Sequence, residues 1–182
     1  MPSVPGSVRP ASPPFDWRRR WQVWGCYQEP VLDGRPWPSR SRLELFMQAM
    51  PPAQAIDGVP DLVAVMMNPG GSRPLVEPDE RGWAPAQPDR TQLQLMKLAE
   101  AVTAVAATHA APVRHLRVLN LSDLRTPQSA ELFGWLKDLH DPRHSIFSRA
   151  RREECERLLG LETTPILRAW GLSPALTPLA LP

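Results

Sequence analysis

Three short polar runs hold most of the residue types that chemistry needs. The first is Asn68-Pro69-Gly70-Gly71-Ser72-Arg73. An asparagine side chain donates and accepts at once, so Asn68 suits reading a base edge or orienting a water. Two glycines let the backbone approach a ligand closely, and Ser72 and Arg73 behind them could grip an anion. The same string also makes a natural chain reversal, with the asparagine side chain capping the turn. The second run is Asn120-Leu121-Ser122-Asp123-Leu124-Arg125. Here Asp123 and Arg125 read either as an acid/base beside a phosphate clamp or as a surface ion pair. The third is Trp170-Gly171. Two helix starts add to these. Asp89 opens one as its N-cap, with Thr91 in the first turn. Ser148 opens another, followed by Arg149 and Arg152. Arginine in a first turn opposes the helix dipole unless an anion lies nearby, which points these side chains toward a ligand.

Established catalytic strings are absent. The glycine pair is followed by no Gly-Lys-Ser/Thr, and the chain holds no GxGxxG, GxSxG or HExxH. Cys26 and Cys155 lie far apart and outside any CxxC pattern, which speaks against a zinc site and for a reducing compartment. The four histidines, His109, His115, His140 and His144, fall in helix ends or loops and are expected at the surface. No metal and no cofactor is expected.

The polar runs gain meaning from the elements that must carry them. Leu62–Met67 is a continuous apolar run between Pro60 and Asn68, the pattern of a strand buried on both faces of a parallel sheet. Leu116–Leu121 and Pro165–Trp170 are the second and third such strands. Helices are predicted from Asp89 to about Thr108, from Ser129 to Leu139, and from Arg149 to Leu159, the last stopped by Gly160. Upstream, Trp17, Trp21 and Trp24 keep helical spacing while Trp21–Tyr27 alternates; a strand over 20–27 is preferred, and Arg42–Met47 reads as an edge strand. Residues 29–39, 51–60 and the Pro-rich 72–88 are expected to be loops. Strands alternating with helices imply an α/β fold. The expected form is a three-layer sandwich with a short parallel core sheet flanked by helices, plus one or two N-terminal edge strands. In such sheets ligands bind beyond the carboxyl ends of the strands, where all three polar runs fall.

The 182 residues suit one domain, expected over 15–175, with a disordered tail at 1–14 and a flexible one at 176–182. Met1–Pro14 is rich in Pro and Ser without an apolar core, so it reads as no secretory signal. With no apolar run near membrane length, the expected localisation is cytoplasmic. Net charge is +2, yet Lys97 and Lys137 are the only lysines among 21 basic residues. Arginine suits bidentate phosphate contact, although a GC-rich coding sequence gives the same bias. A near-neutral chain is no dedicated duplex binder.

Five blocks then resemble a known family. They are Val65-Met66-Met67-Asn68-Pro69-Gly70-Gly71-Ser72, Pro88-Asp89-Arg90-Thr91-Gln92, Val118-Leu119-Asn120-Leu121-Ser122-Asp123-Leu124-Arg125, His144-Ser145-Ile146-Phe147-Ser148 and Ala169-Trp170-Gly171. Their order, over about residues 60–171, is similar to the bacterial domain-of-unknown-function family 1643. A weaker similarity runs to the uracil-DNA glycosylase superfamily, some of whose members carry Gly-x-Asn-Pro-Gly after the first core strand. There the asparagine positions the hydrolytic water; carried over, that residue is Asn68. Met66 stands where those enzymes have the glycine. The resemblance implies a glycosylase-like pocket for a nucleobase, nucleotide or single-stranded nucleic acid. Asn68 and Asp123 are then the catalytic candidates. Gly70, Gly71, Ser72, Arg73, Thr91, Asn120, Arg125, Ser148, Arg149 and Trp170 are the substrate-binding candidates. The alternative is a non-catalytic interaction module on a degenerate α/β enzyme fold.

Overall fold

A computed structural model of the chain describes residues 15–48, 56–106, 111–160, 162–171 and 173–180. The expected tail at 1–14 lies outside them, as do residues 181 and 182.

The N-terminal half is antiparallel. Strand β1 (Trp21–Gln28) runs to a small hairpin, β2 (Val31–Leu32) and β3 (Arg35–Pro36), and returns as β4 (Ser39–Met47). Asp33 and Gly34 both have positive φ, 47° and 78°, as an Asp-Gly two-residue hairpin turn requires. Next come β5 (Leu62–Met66), β6 (Arg73–Pro74) and β7 (Trp83–Gln87). Helix α1 (Arg90–Ala106) leads into β8 (His115–Asn120), and α2 (Ser129–Asp138) follows. A 3-10 turn at Arg149–Arg151 leads into α3 (Arg152–Leu159), and β9 (Ile166–Ala169) closes the sheet. Seven strands join in the order β6-β7-β1-β4-β8-β5-β9, and only β8-β5-β9 are parallel to one another.

The fold is therefore α/β with a short parallel core, inside a sheet that is mixed. The N-terminal strands are interior, not edge: β4 lies between β1 and β8, and β7 covers the outer side of β1. Prolines at 74, 78, 85 and 88 hide that last feature, since a Pro-rich string reads as loop. Near the C-terminus Leu176 is buried and Thr177–Ala180 makes one helical turn.

Alternation along the core strands covers both faces of the sheet. Ala64, Met66, Leu116, Val118, Leu43 and Leu45 meet Leu95, Met96 and Ala99 of α1. Their neighbours Val63, Val65, Leu119 and Leu121 meet Cys155 and Leu158 of α3 on the opposite face. Leu132 of α2 joins Leu32, Trp37 and Leu124 in a third cluster.

The pairing of β1 with β4 is irregular at one point. Cys26 pairs with Arg42, but its neighbour Tyr27 pairs with Arg40, so Ser41 is an extra residue bulged out of β4. A bulge re-aims every side chain beyond it. Ser41 and Arg42 both fall on the α3 side of the sheet, and Arg40 is turned to the α1 side beside Tyr27.

Candidate functional site

The carboxyl ends of β5 and β9 open into a cleft of about 390 Å³, bounded by the first turns of α1 and α2. Met66, Met67, Phe133, Ala169 and Leu176 supply its apolar lining; Asn68, Asp89, Thr91, Gln92, Ser129 and Ser173 supply its polar lining. This is where an open α/β sheet is expected to take a ligand. It brings together Asn68, Gly70 and Thr91 from the residues expected at a site, with Gly171 opposite.

Asn68 is oriented by its neighbours. Its Nδ2 donates to the carbonyls of Thr126 at 2.7 Å and Leu124 at 3.4 Å. Only an N–H can face two carbonyl oxygens, so the amide orientation is fixed. Oδ1 takes no donor among the described residues and is left as an acceptor at the cleft. Asp89, by contrast, is fully engaged. Its Oδ1 accepts from the backbone N–H groups of Thr91 and Gln92, both at 3.0 Å, while the Gln92 side chain returns to the Asp89 N–H at 2.9 Å. That capping box takes up the free donors of the helix start, and the carboxylate there repels an anion. Gly70, at φ 62°, lies against it: a Cβ at this position would meet Asp89 Oδ2 at 2.8 Å.

Asp123 lines a different cavity, of about 360 Å³, on the α3 side of the sheet with Cys26, Arg42, Arg143, Arg151, Glu154 and Arg157. Its Oδ2 accepts from Arg151 Nη1 at 2.5 Å, while its buried Oδ1 has no partner among the described residues. Burial pushes the carboxyl up to about 7, with Arg151 pulling against it. Such a group exchanges its proton near neutrality, as a general acid or base must. Burial also pushes the Cys26 thiol up, which leaves it an inert thiol and no nucleophile.

The other expected residues scatter. Asn120 is fully buried on the α1 side with both amide atoms unpartnered among the described residues. Arg125 stands 5.5 Å from the Tyr27 ring centroid, and the buried Ser72 Oγ lies 3.4 Å from the Tyr27 hydroxyl. Gly71 and Arg73 are exposed, Arg73 in β6 opposite Gln87. Ser148 makes no side-chain cap and its buried Oγ has no partner among the described residues; with Arg149 it lines two further cavities, of about 340 and 400 Å³, near Phe147. Trp170 packs beside the α3 cluster.

Sequence reasoning passed over several polar residues that the interior contains. Two histidines expected at the surface are buried. His144 Nδ1 lies 3.1 Å from Ser122 Oγ, and burial pulls its pKa down, so it is neutral at pH 7. His115 Nε2 lies 2.6 Å from Glu44 Oε2. Glu44 also accepts from Arg117 at 2.7 Å and faces Arg42 at 3.3 Å; Arg117 in turn donates to the carbonyls of Leu158 and Gly58. This closed network fastens β4 and β8 to α3. In sequence it is only the alternation of Arg42-x-Glu44 and His115-x-Arg117, which reads as the solvent face of a strand. Arg40, whose guanidinium is fully buried, carries no sequence signal, because its facing depends on the bulge.

Among the described residues no cluster of His, Cys, Asp or Glu could hold a metal ion, and no helix is long and apolar enough to cross a membrane. Comparison of the chain with protein-family models, with curated proteins and with solved structures finds no match.

Proposed function

We propose that the chain binds a nucleobase-bearing ligand, a nucleoside or nucleotide, in the cleft at the carboxyl ends of β5 and β9. The observation that carries this reading is Asn68, whose tethered Nδ2 leaves Oδ1 as an oriented acceptor on a cleft of about 390 Å³ with Phe133 in its wall. A base offers flat apolar faces and N–H donors on its edge, and such a cleft answers both. The resemblance of Asn68-Pro69-Gly70 to the glycosylase string points the same way. Binding is better supported than hydrolysis. Asp89 is the one carboxylate among the described residues that line the cleft, and it is engaged as a helix cap. No free base stands there to take a proton from water.

A second reading, a non-catalytic interaction module, draws support from the separation of Asp123 from Asn68. An active site built on that pair needs them in one cavity, and they line two.

The test is a thermal-shift screen against nucleobases, nucleosides, nucleotides and short single-stranded oligonucleotides, with Asn68→Ala in parallel. A ligand at one hundred times its Kd adds about 2.7 kcal/mol of stability, a shift of several degrees. A shift in the wild type that vanishes in folded Asn68→Ala supports the base pocket. No shift across the panel moves the weight to the interaction module.

A further inference from the structure

The most anomalous group in the molecule is Arg40. Its residue is 0% exposed, and none of its three guanidinium nitrogens has a hydrogen-bond partner among the described residues. A buried guanidinium without partners costs several kcal/mol, so a fold that keeps one needs something to receive its donors. The surroundings supply little. The Tyr27 hydroxyl stands close enough to favour its charge, and Asp89 and Asp123 act on it through their charge alone. Asp89 is engaged by the α1 cap, and Asp123 is paired with Arg151.

A second orphan lies on the same face. Asn120 ends β8 and pairs with Met66; alternation from Leu116 and Val118 puts it toward α1. It is 0% exposed, and neither its donor nor its acceptor is used among the described residues. Two fully buried, unsatisfied polar side chains on adjacent strands are rare in a folded protein, and one bound anionic group would satisfy donors of both. Beside Arg40 stands the Tyr27 hydroxyl, which lies 3.4 Å from Ser72 Oγ, and the Arg125 guanidinium is 5.5 Å from the Tyr27 ring centroid.

We propose that Arg40 and Asn120, with Tyr27 and Ser72, form the seat for an anionic oxygen group, a phosphate or a carboxylate, beneath the Gly70-Gly71-Ser72 loop. A planar guanidinium offers two parallel N–H donors to such a group, Asn120 Nδ2 offers a third, and the two hydroxyls complete the set. Asp89, whose charge acts on Arg40, also lines the strand-end cleft with Gly70, so one ligand spanning from the cleft to this seat is part of the proposal. Only the identity of what carries the anion rests on the proposed base cleft.

Calorimetric titration of the full chain with inorganic phosphate, acetate, nucleosides and their monophosphates tests this, in the wild type and in Arg40→Met. Charge-assisted hydrogen bonds are worth enough that monophosphates should bind at least about tenfold tighter than nucleosides. In Arg40→Met that advantage should disappear while nucleoside binding stays. Phosphate alone should bind the wild type and not the variant; acetate binding in its place marks a carboxylate seat. Monophosphates binding no tighter than nucleosides, or an advantage that survives Arg40→Met, overturns the proposal and leaves the base cleft standing. Phosphate binding lost in Arg40→Met with no nucleoside binding anywhere keeps the anion seat and removes the base cleft. Should Arg40→Met fail to fold, Arg40→Gln keeps a polar side chain of similar reach without the charge; an undiminished monophosphate advantage there equally overturns the proposal.

Discussion

Replacing Asp123 by asparagine should make stability less dependent on pH, and the size of the effect can be worked out. The wild-type carboxyl rises from 3.8 to about 7 on folding because burial disfavours its charge more than Arg151 favours it. The folded state therefore holds this proton more tightly than the unfolded chain. The resulting penalty is absent below about pH 4, grows as pH rises, and levels off above about pH 7. At 1.36 kcal/mol per pH unit, it amounts to about 2 kcal/mol at pH 5 and about 4 kcal/mol at pH 8. Asparagine has no such penalty. Its loss of the charge-assisted bond to Arg151 is already contained in that net rise, in which Arg151 opposes burial. Arg151 is not orphaned, since it keeps Glu154 at 2.9 and 3.0 Å and the Arg143 carbonyl at 3.1 Å. Asp123→Asn should thus be more stable than the wild type by about 2 kcal/mol at pH 5 and by about 4 kcal/mol at pH 8. Urea unfolding at the two pH values measures this directly. A stability difference between variant and wild type that is equal at pH 5 and pH 8 would show that Asp123 titrates alike in the folded and unfolded chain, and would refute the burial penalty.

Two further substitutions probe the frame around the sites. Glu44→Ala removes the carboxylate shared by His115, Arg117 and Arg42 and leaves Arg117 buried beside a void. The expected loss is about 3–5 kcal/mol in denaturant unfolding, and a loss below about 1 kcal/mol would mean the network is dispensable. Gly70→Ala adds a Cβ 2.8 Å from Asp89 Oδ2 at a backbone φ of 62°. It should cost roughly 1–3 kcal/mol by thermal unfolding. Gly71→Ala, whose nearest neighbour would be Pro127 at 3.9 Å, should be nearly silent; equal losses at both positions would rule out the contact with Asp89.

Much of the frame was legible because its signals are local. The parallel strands announce themselves as apolar runs ending in Asn68, Asn120 and Trp170. Asp89-Arg90-Thr91-Gln92 spells a capping box, and Gly160, at φ 89°, ends α3 as a glycine in that place should. Strand β7 was not legible, because its prolines look like loop and its pairing with β1 is a long-range fact. The Asp33-Gly34 turn did carry a recognisable hairpin signal inside the segment read as loop. The sheet position of β1 and β4 was hidden for another reason: neither strand's alternation says how many neighbours it has. At the site, Asn68, Gly70 and Thr91 share a cleft as their strand-end and helix-start positions implied. Asp123 is separated from them because Leu121–Leu124 continue past the end of β8 and carry the carboxylate to the opposite face.

The bulge at Ser41 divides the arginines of β4 between the two faces of the sheet. An unbroken β4 would set Arg40 on the same face as Arg42, adding another cation to a cavity already lined by Arg42, Arg143, Arg151 and Arg157. The extra residue sends Arg40 through the sheet to Tyr27 and Asn120, where no carboxylate is free to pair with it. The two faces remain in contact through one residue. The Arg40 N–H donates to the Asp123 carbonyl at 2.9 Å, and the positive charge of Arg40 is among the influences that hold the Asp123 carboxyl down against its burial. An anion seated on Arg40 weakens that influence, so Asp123 holds its proton more firmly once the α1 side is occupied. Ligand on one face and protonation on the other are then linked by elementary electrostatics, with no movement of the backbone required.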